Sequence, residues 1–158
     1  MLITEDIFQA FLKCETKSYL KLSGAVGDHC EFSDWEGKLI QEFKHQFYAE
    51  LRSNYQENEI LLDATLAQAF GNSECRLVFD CTVETPELIS RIPMLERTTH
   101  SDKARQSPYI PVRLIPREKL ASQDRLLLAF DAHVLLHASG KTTLFGKIIH
   151  GREHSIAK

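Results

Sequence analysis

The sequence predicts an α/β domain, a mixed sheet in which antiparallel pairs dominate, flanked by helices. Three observations carry this reading. Trp35, Leu39, Phe43, Phe47 and Leu51 recur every fourth residue, an apolar helical stripe. Short apolar runs punctuated by turn residues follow, as a strand meander would. The chain then closes with a strand, a helix apolar on nearly every side, and a last strand.

The elements follow in order. Thr4 caps a first helix, with Glu5 and Asp6 in its first turn, Ile3 packing on Phe8 as a hydrophobic staple, and Ile7, Phe8, Phe11 and Leu12 as its stripe. Ser33 and Glu36 have capping-box spacing at the head of the longer second helix. EILLDATLAQAF and CRLVFDCTV read as two strands of a hairpin turning at Gly71-Asn72-Ser73. A third strand lies within Leu88 to His100, and the polar SDKARQS loop leads into a strand from Tyr109 to Pro116. Ser122 caps a helix running to about Ala138, whose apolar residues make it the central core helix. Leu144 to His150 is the last strand.

At 158 residues the chain is expected to form one domain, residues 1–158, without disulfides or structural metals. A formal charge of −3 excludes a generally basic nucleic-acid coat, so any such contact must be local. No apolar stretch has the length to span a bilayer, and MLITEDIF places acids where a signal peptide needs positive charge. The expectation is a cytoplasmic protein with no membrane partner, its four cysteines reduced thiols without CxxC spacing.

FLKCETKSYLKLSG near the start, YIPVRLIPREKLASQDRLLLAFDAHVLL and FGKIIHG near the end together resemble RecB-like nucleases of the PD-(D/E)XK superfamily, over nearly the whole chain. The most specific parts are Tyr109, Pro111 and Val112 of the strand, the LLLAFDA helix and the GKIIHG strand. The resemblance implies a restriction-endonuclease-like sheet. It also implies a site in which an Asp and a Glu-x-Lys pair hold Mg or Mn and activate water.

The residues depart from that pattern. On the strand, Tyr109, Pro111, Arg113 and Ile115 share one face and Ile110, Val112 and Leu114 the other, and neither carries a carboxylate. Arg113 and Ile115 stand at the implied Glu-x-Lys positions, and Glu118 with Lys119 lies beyond Pro116. Asp80 is the best candidate for the implied Asp. Alternation puts Cys75, Leu77, Phe79, Cys81 and Val83 on one face and Asp80 on the other with Val78 and Thr82. A second alignment puts Pro93 at the Asp position and leaves Glu96 as the nearby acid. If catalysis survives, the resemblance assigns it to Asp80, Glu96 and a migrated Lys119, with Asp80 and Glu96 on the metal. Leu127 and Asp131 occupy the positions of a Gln and a Tyr that help active relatives fix nucleic acid.

Cys14 matches the first of four cluster thiolates in iron-sulfur relatives, but Cys30, Cys75 and Cys81 are wrongly placed for the rest. No iron-sulfur cluster is expected, and Cys14 reads as a small buried residue. His133 and His137 are four apart on one helix, read as helix-end packing rather than a zinc pair, and His150 and His154 repeat the spacing across a glycine. Lys103, Arg105, Arg113, Arg117 and Lys119 cluster around the last hairpin. Of these, Arg105, Arg113, Arg117 and Lys119 are the expected contacts to a DNA backbone, weak and without sequence preference.

Two functions compete. One is a DNA nuclease of repair or defence using Mg or Mn, with a degraded metal site. The other is a catalytically silent module binding nucleic acid or a protein partner. A third expectation is that the chain is the N-terminal part of a longer protein whose C-terminal segment supplies the missing groups.

Overall fold

The computed structural model describes residues 1–27, 30–98 and 106–158. A short strand β1 (Ile3–Thr4) leads into α1 (Glu5–Lys13), where the Thr4 hydroxyl accepts from the Ile7 amide at 3.3 Å. Phe8 stacks on Phe130 at 4.7 Å, and Ile3 packs beside it on the same core. Cys14 breaks the helix before α2 (Glu15–Leu22), and there it is exposed, correcting the expectation of burial. A residue in the extended link between two surface helices has no core to enter. α3 (Glu31–Arg52) begins at an N-cap Cys30, ahead of the expected Ser33–Glu36 box. Its second half buries Phe43 and Phe47, while Trp35 and Leu39 remain exposed.

The expected strand over residues 59–70 is corrected. Only β2 (Ile60–Leu62) is extended, and the chain then turns into α4 (Leu66–Gly71). Thr65 and Gln68 cap that helix reciprocally: the Thr65 amide donates to Gln68 Oε1 at 2.8 Å, and the Gln68 amide donates to Thr65 Oγ1 at 3.4 Å. With a helix between them, β2 and β3 (Leu77–Glu84) pair in parallel rather than as a hairpin.

β4 (Leu88–Arg97) returns antiparallel to β3, and β5 (Tyr109–Ile115) antiparallel to β4. α5 (Ser122–Ser139) crosses to β6 (Lys147–His150), parallel to β5, and β7 (Ser155–Ala157), which sequence periodicity missed, pairs antiparallel with β6. The sheet is therefore mixed, in the order β2-β3-β4-β5-β6-β7, with β1 parallel to the start of β4. Its longest ladder, β3 with β4, is antiparallel.

Helices cover both faces. Phe130, Val134 and Leu135 of α5 pack on Val78, Ile92 and Leu95, and Phe43 and Phe47 of α3 pack on Phe79, Met94 and Val112. α5 starts one residue before its expected cap becomes available: Ser122 is already helical, and the Ala121 amide donates instead to Asp124 Oδ2 at 2.7 Å. It ends at Gly140, whose φ of 66° suits a left-handed cap.

β5 alternates as expected, with Ile110, Val112 and Leu114 toward α3 and Tyr109 and Arg113 toward α5. β3 does not, which corrects the single face assigned to Leu77 through Val83. Leu77 and Phe79 face α3, but Cys81 and Val83 join Val78 on the α5 side. The cause is Asp80, at a φ of 52°. A left-handed residue resets the alternation, so every later side chain changes face. β4 makes the same switch opposite it, with Ile92 toward α5 and Met94 toward α3 around Pro93.

Among the described residues no helix is long and apolar enough to cross a membrane.

Candidate functional site

A cavity of about 610 Å³ opens where α1, α3 and the start of α5 meet one end of the central strands. Pro93 of β4, Arg113 and Ile115 of β5 and Leu127 of α5 all line it, as does Asp80. Four positions read separately as departures from a nuclease pattern thus converge in one place.

Arg113 is the centre of the cavity floor. Its side chain is only 6% exposed and Asp131 is wholly buried. Nε donates to Asp131 Oδ2 at 2.7 Å and one Nη donates to Asp131 Oδ1 at 2.9 Å, a two-pronged fit of guanidinium to carboxylate. The other Nη donates to Glu5 Oε1 at 2.8 Å, and the Ser90 hydroxyl donates to Asp131 Oδ1 at 2.6 Å. Four elements, α1, β4, β5 and α5, are tied together by this cluster.

Burial acts against the Arg113 charge, but the Asp131 and Glu5 carboxylates outweigh it and hold the guanidinium above its ordinary value. For Asp131 the balance differs, since complete burial outweighs Arg113 and Ser90 and pushes the carboxyl up to about 6. The unfolded carboxyl titrates near about 3.9, so the folded state takes up its proton first as pH falls. The stability contributed by that uptake is complete below about pH 4 and is lost as pH rises through about 6. Urea melts across this window should show the rise toward acid in the wild type and its loss in Asp131→Asn. Equal pH slopes in the two proteins would assign the titration to another group.

Asp80 projects on the α3 side and is ion-paired with Lys44, whose side chain is 11% exposed. Arg91 Nε lies 3.9 Å away. The Tyr48 hydroxyl donates to the Pro93 carbonyl and its ring stacks on Phe79 at 3.9 Å. Burial, with the Asp80 charge, holds that hydroxyl well above its ordinary pKa.

Glu96 is elsewhere. It lines a second cavity, and Lys147 Nζ donates to both its oxygens at 2.7 Å. Lys119 is exposed on the turn after β5, beside Glu118, which accepts from the Arg152 amide at 3.1 Å. The structure therefore does not bring Asp80, Glu96 and Lys119 into one site. Among the described residues no three His, Cys, Asp or Glu side chains converge closely enough to hold a metal ion. The donors do not fit the Mg or Mn that the resemblance implies: Asp80 is committed to Lys44, and a guanidinium stands where a ligand carboxylate would be.

Of the expected phosphate contacts, Arg113 is buried with its donors engaged, and Arg117 is half-exposed and paired with Asp124 at 2.7 Å. Lys119 is exposed, and Arg105, like Lys103, lies outside the described residues. His133 and His137 meet edge to face at 4.4 Å, while His154 packs against Phe43 and Phe47 and His150 Nδ1 lies 3.0 Å from the Glu118 carbonyl. Cys75 and Cys81 are buried, and desolvation pushes the Cys81 thiol up to about 12.

Sequence reasoning missed Glu5, Ser90 and Lys44. Glu5 read only as a first-turn acid, 108 residues from Arg113. The usable signal was the pairing of two misfits, a cation on an apolar strand and Asp131 on an apolar helix. No protein-family model matches the chain, and no curated protein matches it, so the chemistry of this site rests on its own residues.

Proposed function

We propose that the chain is a RecB-like nuclease-fold domain of nucleic-acid processing, in DNA repair or defence, that binds DNA without cutting it. The carrying observation is the buried pair of Arg113 and Asp131, at two positions where the resemblance implies a metal-binding Glu and a Tyr. A cation fixed there repels the metal that hydrolysis of a phosphodiester needs. Two further features support the reading. The mixed sheet, mostly antiparallel and covered by helices on both faces, is of the restriction-endonuclease-like kind that the resemblance implies. Pro93, Arg113, Ile115 and Leu127 also come together at one cavity, as aligned active-site positions should.

DNA would be held by Arg117, which lines the cavity, and by Lys119 on the exposed turn after β5, with Arg105, outside the described residues, as a further expected contact. These side chains can neutralise phosphate but offer no base readout. The domain works in the cytoplasm on this reading and requires neither metal nor iron-sulfur cluster to bind. The test is fluorescence anisotropy with labelled single- and double-stranded DNA across a salt series. Binding should be weak and salt-sensitive, and Arg117→Ala with Lys119→Ala should lower the salt slope by about 1–2. An unchanged slope and affinity at low salt would make this patch a solvated surface only.

A further inference from the structure

At the opposite end of the central strands lies the cavity that holds Glu96, about 320 Å³ in volume. We propose that it binds a phosphorylated nucleoside, either a free nucleotide or the phosphorylated end of a strand. The proposal does not depend on the cleft around Arg113.

The charge of this cavity is unbalanced. Arg76, Arg97, Lys147 and Lys158 line it against the single side-chain carboxylate of Glu96, which Lys147 already answers through both oxygens. Arg76 reaches Glu59 only at 3.4 Å, from a side chain 54% exposed. The Arg97 guanidinium donates to the Ser73 and Asn72 carbonyls and to the Tyr109 hydroxyl, all neutral oxygens. Its Nε is buried without any acceptor among the described residues. No carboxylate among the described residues pairs with Arg97 or with Lys158. A dianionic phosphate would supply the missing counter-charge, and charge-assisted contacts to it are the strong kind.

The walls select what carries the phosphate. Tyr55 and Phe145 line the same cavity, and each ring already faces a cation: the Arg76 guanidinium carbon lies 5.2 Å from the Tyr55 centroid and Lys158 Nζ lies 5.6 Å from that of Phe145. Phe145 is 39% exposed, leaving ring surface for a planar partner. Rings paired with cations form the kind of platform on which a nucleobase stacks, and the volume suits one nucleotide rather than a folded chain.

Isothermal titration of the whole protein separates the alternatives. The probes are thymidine 5′-monophosphate, thymidine, inorganic phosphate, a short oligothymidine with and without a 5′-phosphate, and a polyglutamate peptide. Saturable binding is expected for the mononucleotide, for the 5′-phosphorylated oligonucleotide or for both, and the pattern identifies the source of the phosphate. Phe145→Ala and the double variant Arg76→Ala with Lys158→Ala should each weaken it about tenfold or more. Both changes are at the surface, and a circular dichroism melt confirms the fold. Arg117→Ala with Lys119→Ala should leave mononucleotide binding, and the gain in oligothymidine affinity from its 5′-phosphate, unchanged, which separates the site from the DNA contact proposed above. The proposal is overturned if neither phosphorylated probe binds better than thymidine and phosphate, if binding ignores both variants, or if polyglutamate binds more tightly than either.

Discussion

Arg113→Ala is expected to lower the unfolding free energy by about 3–5 kcal/mol, the cost of breaking a buried ion pair by removing one partner. The substitution leaves Asp131 fully buried with only the Ser90 hydroxyl, and it frees Glu5 from the same cluster. Arg113→Lys should recover only part of the loss, because an ammonium cannot match both carboxylate oxygens in one plane. The double change Arg113→Met with Asp131→Leu should recover most of it, since no fully buried charge is then left unpaired and Glu5, 28% exposed, keeps access to solvent. Urea denaturation of the four proteins measures this. If Arg113→Ala lies within about 1 kcal/mol of the wild type, the pair does not organise the cavity floor.

Asp80→Ala carries the second largest effect, about 2–4 kcal/mol. Two causes combine. Lys44, with its side chain 11% exposed, loses its counter-charge, and alanine must hold a φ of 52° that asparagine, aspartate and glycine tolerate better. Asp80→Asn should therefore cost less than alanine, because it keeps the backbone preference while losing the charge. Asp80→Gly should fall below alanine too, through relief of the backbone alone. Equal destabilisation by alanine and glycine would show that the left-handed turn at this residue contributes nothing. The same turn moves Cys81 and Val83 onto the α5 face, so the variants also report on whether the face switch is held by this residue.

The parts of this architecture that could be read in the sequence are those with long periods. The Phe43–Phe47 stripe, the apolar α5 and the alternation of Ile110, Val112 and Leu114 each repeat a pattern often enough to fix an element and its inward face. What escaped turned on single residues. Thr65 and Gln68 start a helix inside a run that alternates like a strand, and the left-handed Asp80 reverses the facing of the residues after it. The site was half legible for a related reason. Arg113 on an apolar strand announced a need for a partner, and Asp131 on an apolar helix announced another. The distant Glu5 and Ser90 carry no comparable mark, because an acid in a first helical turn and a serine in a strand are ordinary in isolation. Glu96 and Asp80 sit on paired strands and on the same α3-facing side, yet their different positions along those strands put them in different cavities.

One assay tests directly whether the fixed Arg113 guanidinium closes the cleft to metal chemistry, as we propose. Purified wild type, Asp80→Asn and Glu96→Gln are incubated with single- and double-stranded DNA and Mg²⁺ or Mn²⁺, beside a matched blank. No metal-dependent cleavage above the blank is expected from any of the three, under conditions in which anisotropy shows the wild type bound to DNA. Metal-dependent cutting by the wild type that either substitution abolishes would contradict it, and would make Asp80 and Glu96, with Lys119 as the migrated lysine, the working parts of an active nuclease.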